Sequence, residues 1–331
     1  MELPRVTVFS MGGTISSVDS GGKGVEPTLT GEALVSDVPE IAEVADVSAV
    51  SFRQAASGEI LVEDLVELAA EISGRIDSGV AGAVVTQGTD TIEETSFCLG
   101  LLVEGEAPVV VTGAMRNPTL PGADGPANLL AAIQVAASDM ARGLGTMVVF
   151  NDEIHAARFV RKTHTSNPAT FRSDPVGPLG WISENVPRFV VHPTGEHKVT
   201  LAEGAQEDRP VALYHVALGD DGRLLSEIEK AGYAGLVVEA MGGGHVPALM
   251  VETLEDLASR MPVVLASRTG GGEVLRSTYG FIGSETDLLD RGLIYAGPLD
   301  GRKARLLVTL LLMSGASKEK VNETFDTWLK G

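Results

Sequence analysis

The sequence predicts an α/β protein, with a doubly wound, mostly parallel sheet in an N-terminal domain and a second, smaller α/β domain. Three observations carry this. Short apolar, β-branched runs alternate with segments of helical period along most of the 331 residues. In the first half these runs stop at small polar or glycine turns, as parallel strands do on entering a crossover. A polar, proline-punctuated stretch then precedes a second half with the same rhythm at smaller scale. The expected division is a catalytic domain over residues 1–190, a linker over 191–210 and a C-terminal domain over 211–331.

The first strand covers residues 6–10 and runs into Met11-Gly12-Gly13-Thr14-Ile15. Two glycines after a strand allow close backbone approach, but the G-x-G-x-x-G spacing of a dinucleotide loop is absent. Thr14 is a hydroxyl at the carboxyl end of a strand, where open α/β sheets bind ligands, and is a candidate nucleophile. Residues 16–28 have no periodicity and read as a mobile lid. Thr30 caps a short helix ended by Pro39, residues 45–52 form a strand, and Ala55-Ala56-Ser57-Gly58 a turn. Val62, Leu65, Val66, Ala69, Ile72 and Ile76 keep helical spacing.

The organising stretch is residues 83–95. Ala83-Val84-Val85-Thr86 reads as a strand, Gln87-Gly88-Thr89-Asp90 as a tight turn, and Glu93 and Glu94 open a helix. Helix-start N–H groups, the Thr89 hydroxyl and the Asp90 carboxylate share one corner. The plainer reading makes Asp90 or Thr91 an N-cap, with Glu93 or Glu94 completing a capping box. Residues 109–114 repeat strand and turn, 129–137 a helix and 145–150 a strand. The stretch 151–182 reads as irregular. Asp152, Glu153 and His155 there match no familiar ligand spacing, so no metal is expected. Lys162, beside a threonine and an aspartate, could activate a hydroxyl.

In the second half, strands fall at residues 211–216, 235–239 and 263–267 and helices at 224–231, 253–260, 302–313 and 318–328, with Ser317 as an N-cap. The glycine turns Met241-Gly242-Gly243-Gly244-His245 and Thr269-Gly270-Gly271-Gly272-Glu273 lack the lysine and hydroxyl of a P-loop.

A formal charge of −20 argues against nucleic-acid and anionic-membrane partners. With no signal-like segment near Met1 and no apolar run of bilayer length, a cytoplasmic location is expected. Cys98, the one cysteine, lies in an apolar run and reads as core filler.

Met11-Gly12-Gly13-Thr14-Ile15 resembles the first signature of the bacterial-type L-asparaginase and glutaminase-asparaginase family, and Gln87-Gly88-Thr89-Asp90-Thr91-Ile92-Glu93-Glu94-Thr95 the second. Similarity extends through Thr112-Gly113-Ala114-Met115-Arg116, Arg161-Lys162-Thr163 and Lys303-Ala304-Arg305. The resemblance implies Thr14 as nucleophile and Thr89, Lys162 and Asp90 as a second triad. It also implies Asp90 as holder of a substrate ammonium, Ser57 as holder of the α-carboxylate, Gly88 and Ala114 as substrate-binding, and backbone around Thr89 and Ala114 as oxyanion donors. The implied reaction is cofactor-free hydrolysis of L-asparagine in a homotetramer built from two dimers.

This chain departs from the family pattern at three places. Gly58 stands where members commonly carry glutamine, residues 16–30 lack the lid tyrosine, and His245 occupies a position expected to be asparagine. All four tyrosines lie in the second half, so the missing hydroxyl is expected from a neighbouring subunit, as Tyr279 positioned by Glu285. Other readings are glutamine hydrolysis, the ammonia-generating subunit of a transfer-RNA amidotransferase, whose N-terminal extension is missing here, and a non-catalytic amino-acid sensor. A nucleotide-binding oxidoreductase is argued against by the absent dinucleotide loop.

Overall fold

The structure, a computed structural model, describes residues 2–13, 15, 17–19, 25–27, 30–193, 197–201 and 209–328. It divides into two compact units, Met1–Lys198 and Val199–Gly331.

In the first unit β1 (Arg5–Gly12) is followed by β2 (Ser17–Asp19) and β3 (Val25–Pro27), the helices α1 (Gly31–Ser36) and α2 (Ile41–Val44), and β4 (Asp46–Ala55). Then come α3 (Val62–Asp77), β5 (Gly82–Thr86), α4 (Ile92–Leu102), β6 (Val109–Thr112), α5 (Gly125–Ala136) and β7 (Thr146–Phe150). The unit ends with β8 (Glu153–Ala156), β9 (Arg161–Lys162), β10 (Phe171–Arg172), β11 (Gly180–Ser183) and β12 (Val186–Phe189).

Among the described residues one sheet has the order β12-β11-β8-β7-β6-β5-β1-β4. From β4 to β7 every pairing is parallel. The parallel strands therefore run second-first-third-fourth-fifth in chain order, and the order reverses at β1, between β4 and β5. Open α/β sheets bind ligands at such a switch point, beyond the carboxyl ends of the strands. The sheet is covered on both faces. Val6, Val8, Val84 and Val110 join one core cluster with Leu129 and Ile133 of α5. The alternate residues Phe9, Val85 and Val111, also fully buried, point to the opposite face, which α3 and α4 cover. This is why the strands read as continuous apolar runs instead of alternating ones.

Two corrections to the sequence reading concern residues 151–182 and the lid. The former is organised: β7 turns into antiparallel β8 through Asn151 and Asp152, both at positive φ (51° and 61°). That two-residue turn matches the right-handed twist of paired strands. Glu184 and Asn185 repeat it between β11 and β12. These strands are too short for their alternation to show. In the lid stretch, where no periodicity is read, residues 17–19 and 25–27 pair antiparallel as β2 and β3, and residues 16, 20–24 and 28 lie outside the described residues.

Cys98 is fully buried in α4, and burial pushes its thiol up to about 12, so it is inert filler. Lys198 Nζ donates to the carbonyls of Gly100 (2.9 Å) and Val103 (2.7 Å), closing the carboxyl end of the same helix. No helix among the described residues is long and apolar enough to cross a membrane.

The second unit carries four parallel strands in simple order: β13 (Val211–His215), β14 (Gly235–Ala240), β15 (Val263–Ser267) and β16 (Ile294–Tyr295). Helices α6 (Leu225–Ile228), α7 (Ala248–Arg260), α8 (Glu285–Asp290), α9 (Gly301–Met313) and α10 (Lys318–Trp328) accompany them. Met250, Val251, Leu254, Leu257 and Ala258 of α7 hold helical spacing and join the buried cluster with Leu236, Val238 and Leu265. α7 begins five residues before the predicted helix, immediately after Pro247. Ser317 Oγ accepts the Lys320 N–H (3.3 Å), so its capping role holds.

Candidate active site

The two motif turns meet at the switch point. Gly12 and Gly13 both have positive φ (99° and 86°), and a Cβ built on Gly13 would lie 2.0 Å from the Gly88 nitrogen. Only glycine fits that backbone crossing. Thr14 lies outside the described residues. Ile15 beyond it is buried, and a Cβ at Gly125 would meet its Cγ1 at 3.0 Å and the Ala114 Cβ at 3.4 Å. The first motif is thus packed on the turn after β6 and the start of α5.

Ser57 reaches the same corner because β4 pairs with β1 up to Gly12 and Ala55 before the short turn Ser57–Glu59. It is 5% exposed, and a Cβ on Gly88 would come 2.8 Å from its Oγ. An added Cβ at Gly58 would meet nothing within 4 Å, so the position where a glutamine was expected is open.

Thr89, Asp90 and Thr91 form one tight turn before α4. Thr91 stands at the N-cap of α4, as the plainer reading allows, but its side chain makes no cap bond, and the Asp90 carboxylate is bonded to Lys162 instead. Lys162 takes their place as organiser. Its Nζ donates to Thr89 Oγ1 at 2.9 Å and to Asp90 Oδ1 at 2.6 Å. Thr89 is buried while the Asp90 side chain is 77% exposed. Because the lysine donates to the threonine oxygen, the Thr89 hydroxyl proton is left to point elsewhere.

Lys162 is held by its main chain. Its N–H donates to Glu93 Oε2 at 2.7 Å, and Glu93, in the first turn of α4, is 1% exposed. The β9–β10 hairpin is closed by Thr163 and Thr170: the Thr163 N–H and hydroxyl donate to the Thr170 carbonyl (2.9 and 2.8 Å). Across the corner, Asn128 Nδ2 donates to the Gly113 carbonyl (3.0 Å) and Asp124 accepts the N–H groups of Met115 and Arg116 (3.0 and 2.8 Å). These bonds shape the loop that carries Ala114. Glu93, Asn128 and Asp124 are absent from the sequence-based site. Only the capping pattern around Glu93 hinted at one of them.

Of the three residues considered for a metal, Glu153 and His155 face each other, with Glu153 Oε2 3.4 Å from His155 Nε2. His155 is buried, its Nδ1 bonds Ser173 Oγ (2.9 Å), and burial, with Arg172 adding, holds its imidazole down at about 4. No group of three or more His, Cys, Asp or Glu suited to a metal occurs among the described residues.

In the second unit, Glu285 is fully buried. Its Oε1 accepts the N–H groups of Thr278 and Tyr279 (both 2.8 Å), and its Oε2 meets His245 Nε2 at 3.1 Å. Burial pushes this carboxyl up, but the Tyr279 and Thr278 amides outweigh it and hold it below the ordinary range. Glu285 thus holds the main chain of Tyr279. The Tyr279 ring stands edge-on to His245 at 4.9 Å, and the residue is 45% exposed.

Known proteins match this chain over most of their length. Residues 5–194 match the family described as Asparaginase, N-terminal, and residues 210–325 the Glutaminase/Asparaginase C-terminal domain. L-asparaginase 2 of Bacillus subtilis is 32% identical over 99% of this chain and 87% of its own. The probable periplasmic L-asparaginase of Haemophilus influenzae is 33% identical over 98% and 93%. The crystal structure titled probable cytoplasmic L-asparaginase from Campylobacter jejuni superposes with a TM-score of 0.86 at 30% identity, covering 97% of this chain and 99% of that one. With both domains matched in order and the two glycine turns crossing at one corner, the chain belongs to the asparaginase family.

Proposed function

We propose that this chain is an L-asparagine amidohydrolase that releases ammonia and L-aspartate through a threonine ester. The observation that carries the reading is Lys162 holding Thr89 and Asp90 together where the sheet's strand order reverses. Thr14 is the nucleophile: its oxygen bonds to the side-chain amide carbon, the C–N bond breaks, and the nitrogen leaves as ammonia after taking a proton. Water then cleaves the ester to aspartate, with Thr89, Lys162 and Asp90 moving the proton. Backbone N–H groups about Thr89 and Ala114 hold the oxyanion. Ser57 with Gly88 grips the α-carboxylate and Asp90 the α-ammonium, so a zwitterionic amino acid is the substrate.

The relatives' names support the asparagine reading, and the open space at Gly58 favours a second one, hydrolysis of the longer L-glutamine. In the oligomer we propose, a dimer of dimers in the cytoplasm, Tyr279 and Glu285 of a neighbouring copy complete each site. Residues 1–190 and 211–331 form its two domains, joined by 191–210. The test is ammonia release from L-asparagine, D-asparagine and L-glutamine by purified protein. Release from L-asparagine above the others supports the reading, and no release from any of the three ends it in favour of a sensor.

A further inference from the structure

Gln87, the last residue before the Gly88 turn, is fully buried. Its Nε2 donates to the Gly88 carbonyl (3.3 Å) and to Thr91 Oγ1 (3.1 Å). The Thr91 hydroxyl donates onward to the Ser57 carbonyl (3.2 Å), 34 residues away. The direction of this chain is fixed. A carbonyl can only accept, so Gly88 requires the amide nitrogen of Gln87, and the Ser57 carbonyl requires the Thr91 proton. Among the described residues Gln87 Oε1, also buried, has no hydrogen-bond partner. A buried amide left half-satisfied is costly, so the orientation is imposed by what the nitrogen holds.

We propose that Thr91, held by Gln87, is a positioning residue that fixes Ser57 against the Thr89 turn and so sets affinity for the substrate's α-carboxylate. The inference rests on the reading of Ser57 given above. Gly88 leaves no room for a Cβ beside Ser57 Oγ, so the serine turn sits directly on the catalytic turn. The Thr91 hydroxyl is the bond that prevents it from sliding there. That hydroxyl is bonded to Gln87 and Ser57 and, among the described residues, makes no hydrogen bond to Thr89 or Lys162, so loosening it acts on grip and leaves the reacting groups in place.

The experiment measures KM and kcat for L-asparagine and for 3-aminopropanamide, the same amide without its carboxylate, in the parent, Thr91→Val, Thr91→Ser, Gln87→Met and Ser57→Ala. Loss of one neutral hydrogen bond should raise the Thr91→Val KM for L-asparagine about three- to tenfold with kcat within about twofold. Gln87→Met should shift KM the same way by less, and Thr91→Ser should restore it. The KM for 3-aminopropanamide should stay at the parent value in every variant. A fall in kcat in Thr91→Val or Gln87→Met, or a parental KM for L-asparagine in both, overturns the proposal. A parental KM in Ser57→Ala with a raised KM in Thr91→Val overturns the reading of Ser57 instead. Should Thr91→Val fail to fold, Gln87→Met decides on the same criteria.

Discussion

Lys162 and Thr89, 73 residues apart in the chain, are joined by a 2.9 Å hydrogen bond, and the same ammonium reaches Asp90 at 2.6 Å. Lys162→Met keeps the volume of the side chain and removes the charge. Turnover of L-asparagine should fall by about three orders of magnitude or more, the scale on which proton-transfer and electrostatic groups act together. Thr89→Val should fall comparably. The double variant should be little worse than either, because groups acting as a unit are not additive. Multiplicative losses would show that the two residues work separately.

Thr14→Ala should abolish hydrolysis while leaving the melting temperature near that of the parent, since only a hydroxyl and a methyl group are removed. Intact mass after quenching should show an aspartyl adduct on the parent and none on the variant. More than a few per cent of residual turnover would rule Thr14 out as nucleophile.

The glycine crossing gives a stability contrast. Gly13→Ala puts a Cβ 2.0 Å from a backbone nitrogen at a φ of 86°, and neither clash nor strain can be relieved by a side-chain rotation. A loss of about 2 kcal/mol or more in urea unfolding is expected. Gly74→Ala in α3, where an added Cβ meets nothing within 4 Å, should stabilise by about 0.5–1 kcal/mol. Equal effects at the two positions would contradict the crossing.

His155 makes stability depend on pH. Its imidazole binds a proton near 6.5 when unfolded and near 4 when folded, so the unfolded state gains protons first as pH falls. Stability is therefore full above 6.5 and is lost as pH drops from 6.5 towards 4, about 1.4 kcal/mol per pH unit. His155→Gln, which cannot titrate, should lose about 2 kcal/mol less than the parent between pH 7 and pH 5. Parallel losses in the two proteins would place the acid sensitivity elsewhere.

The strands β1, β5, β6 and β7 were readable because each is a largely apolar, β-branched run with a small or polar stop; the stops after β1 and β5 carried Thr14, Thr89 and Asp90, and Ser57 follows β4. The hairpins of residues 151–189 were not, since strands of two to four residues are too short for a period to register. Lys162 was singled out by its chemistry alone; what brings it to Thr89 is a buried carboxylate, Glu93, gripping a main-chain N–H across 69 residues. Local pattern does not encode a contact of that separation. Thr91 is the opposite case, a residue whose N-cap position was legible while the commitment of its hydroxyl to Gln87 and Ser57 was not.

The single thiol is mounted on the helix that begins with the Thr89 turn. Cys98 is sealed in α4 with its thiol pushed up to about 12, so the native chain is silent to thiol-alkylating reagents and there is no second thiol to confuse the signal. Labelling kinetics at this one atom count the openings of α4. A reagent clock on Cys98, run with and without substrate, therefore reads how firmly an occupied pocket clamps its own scaffold.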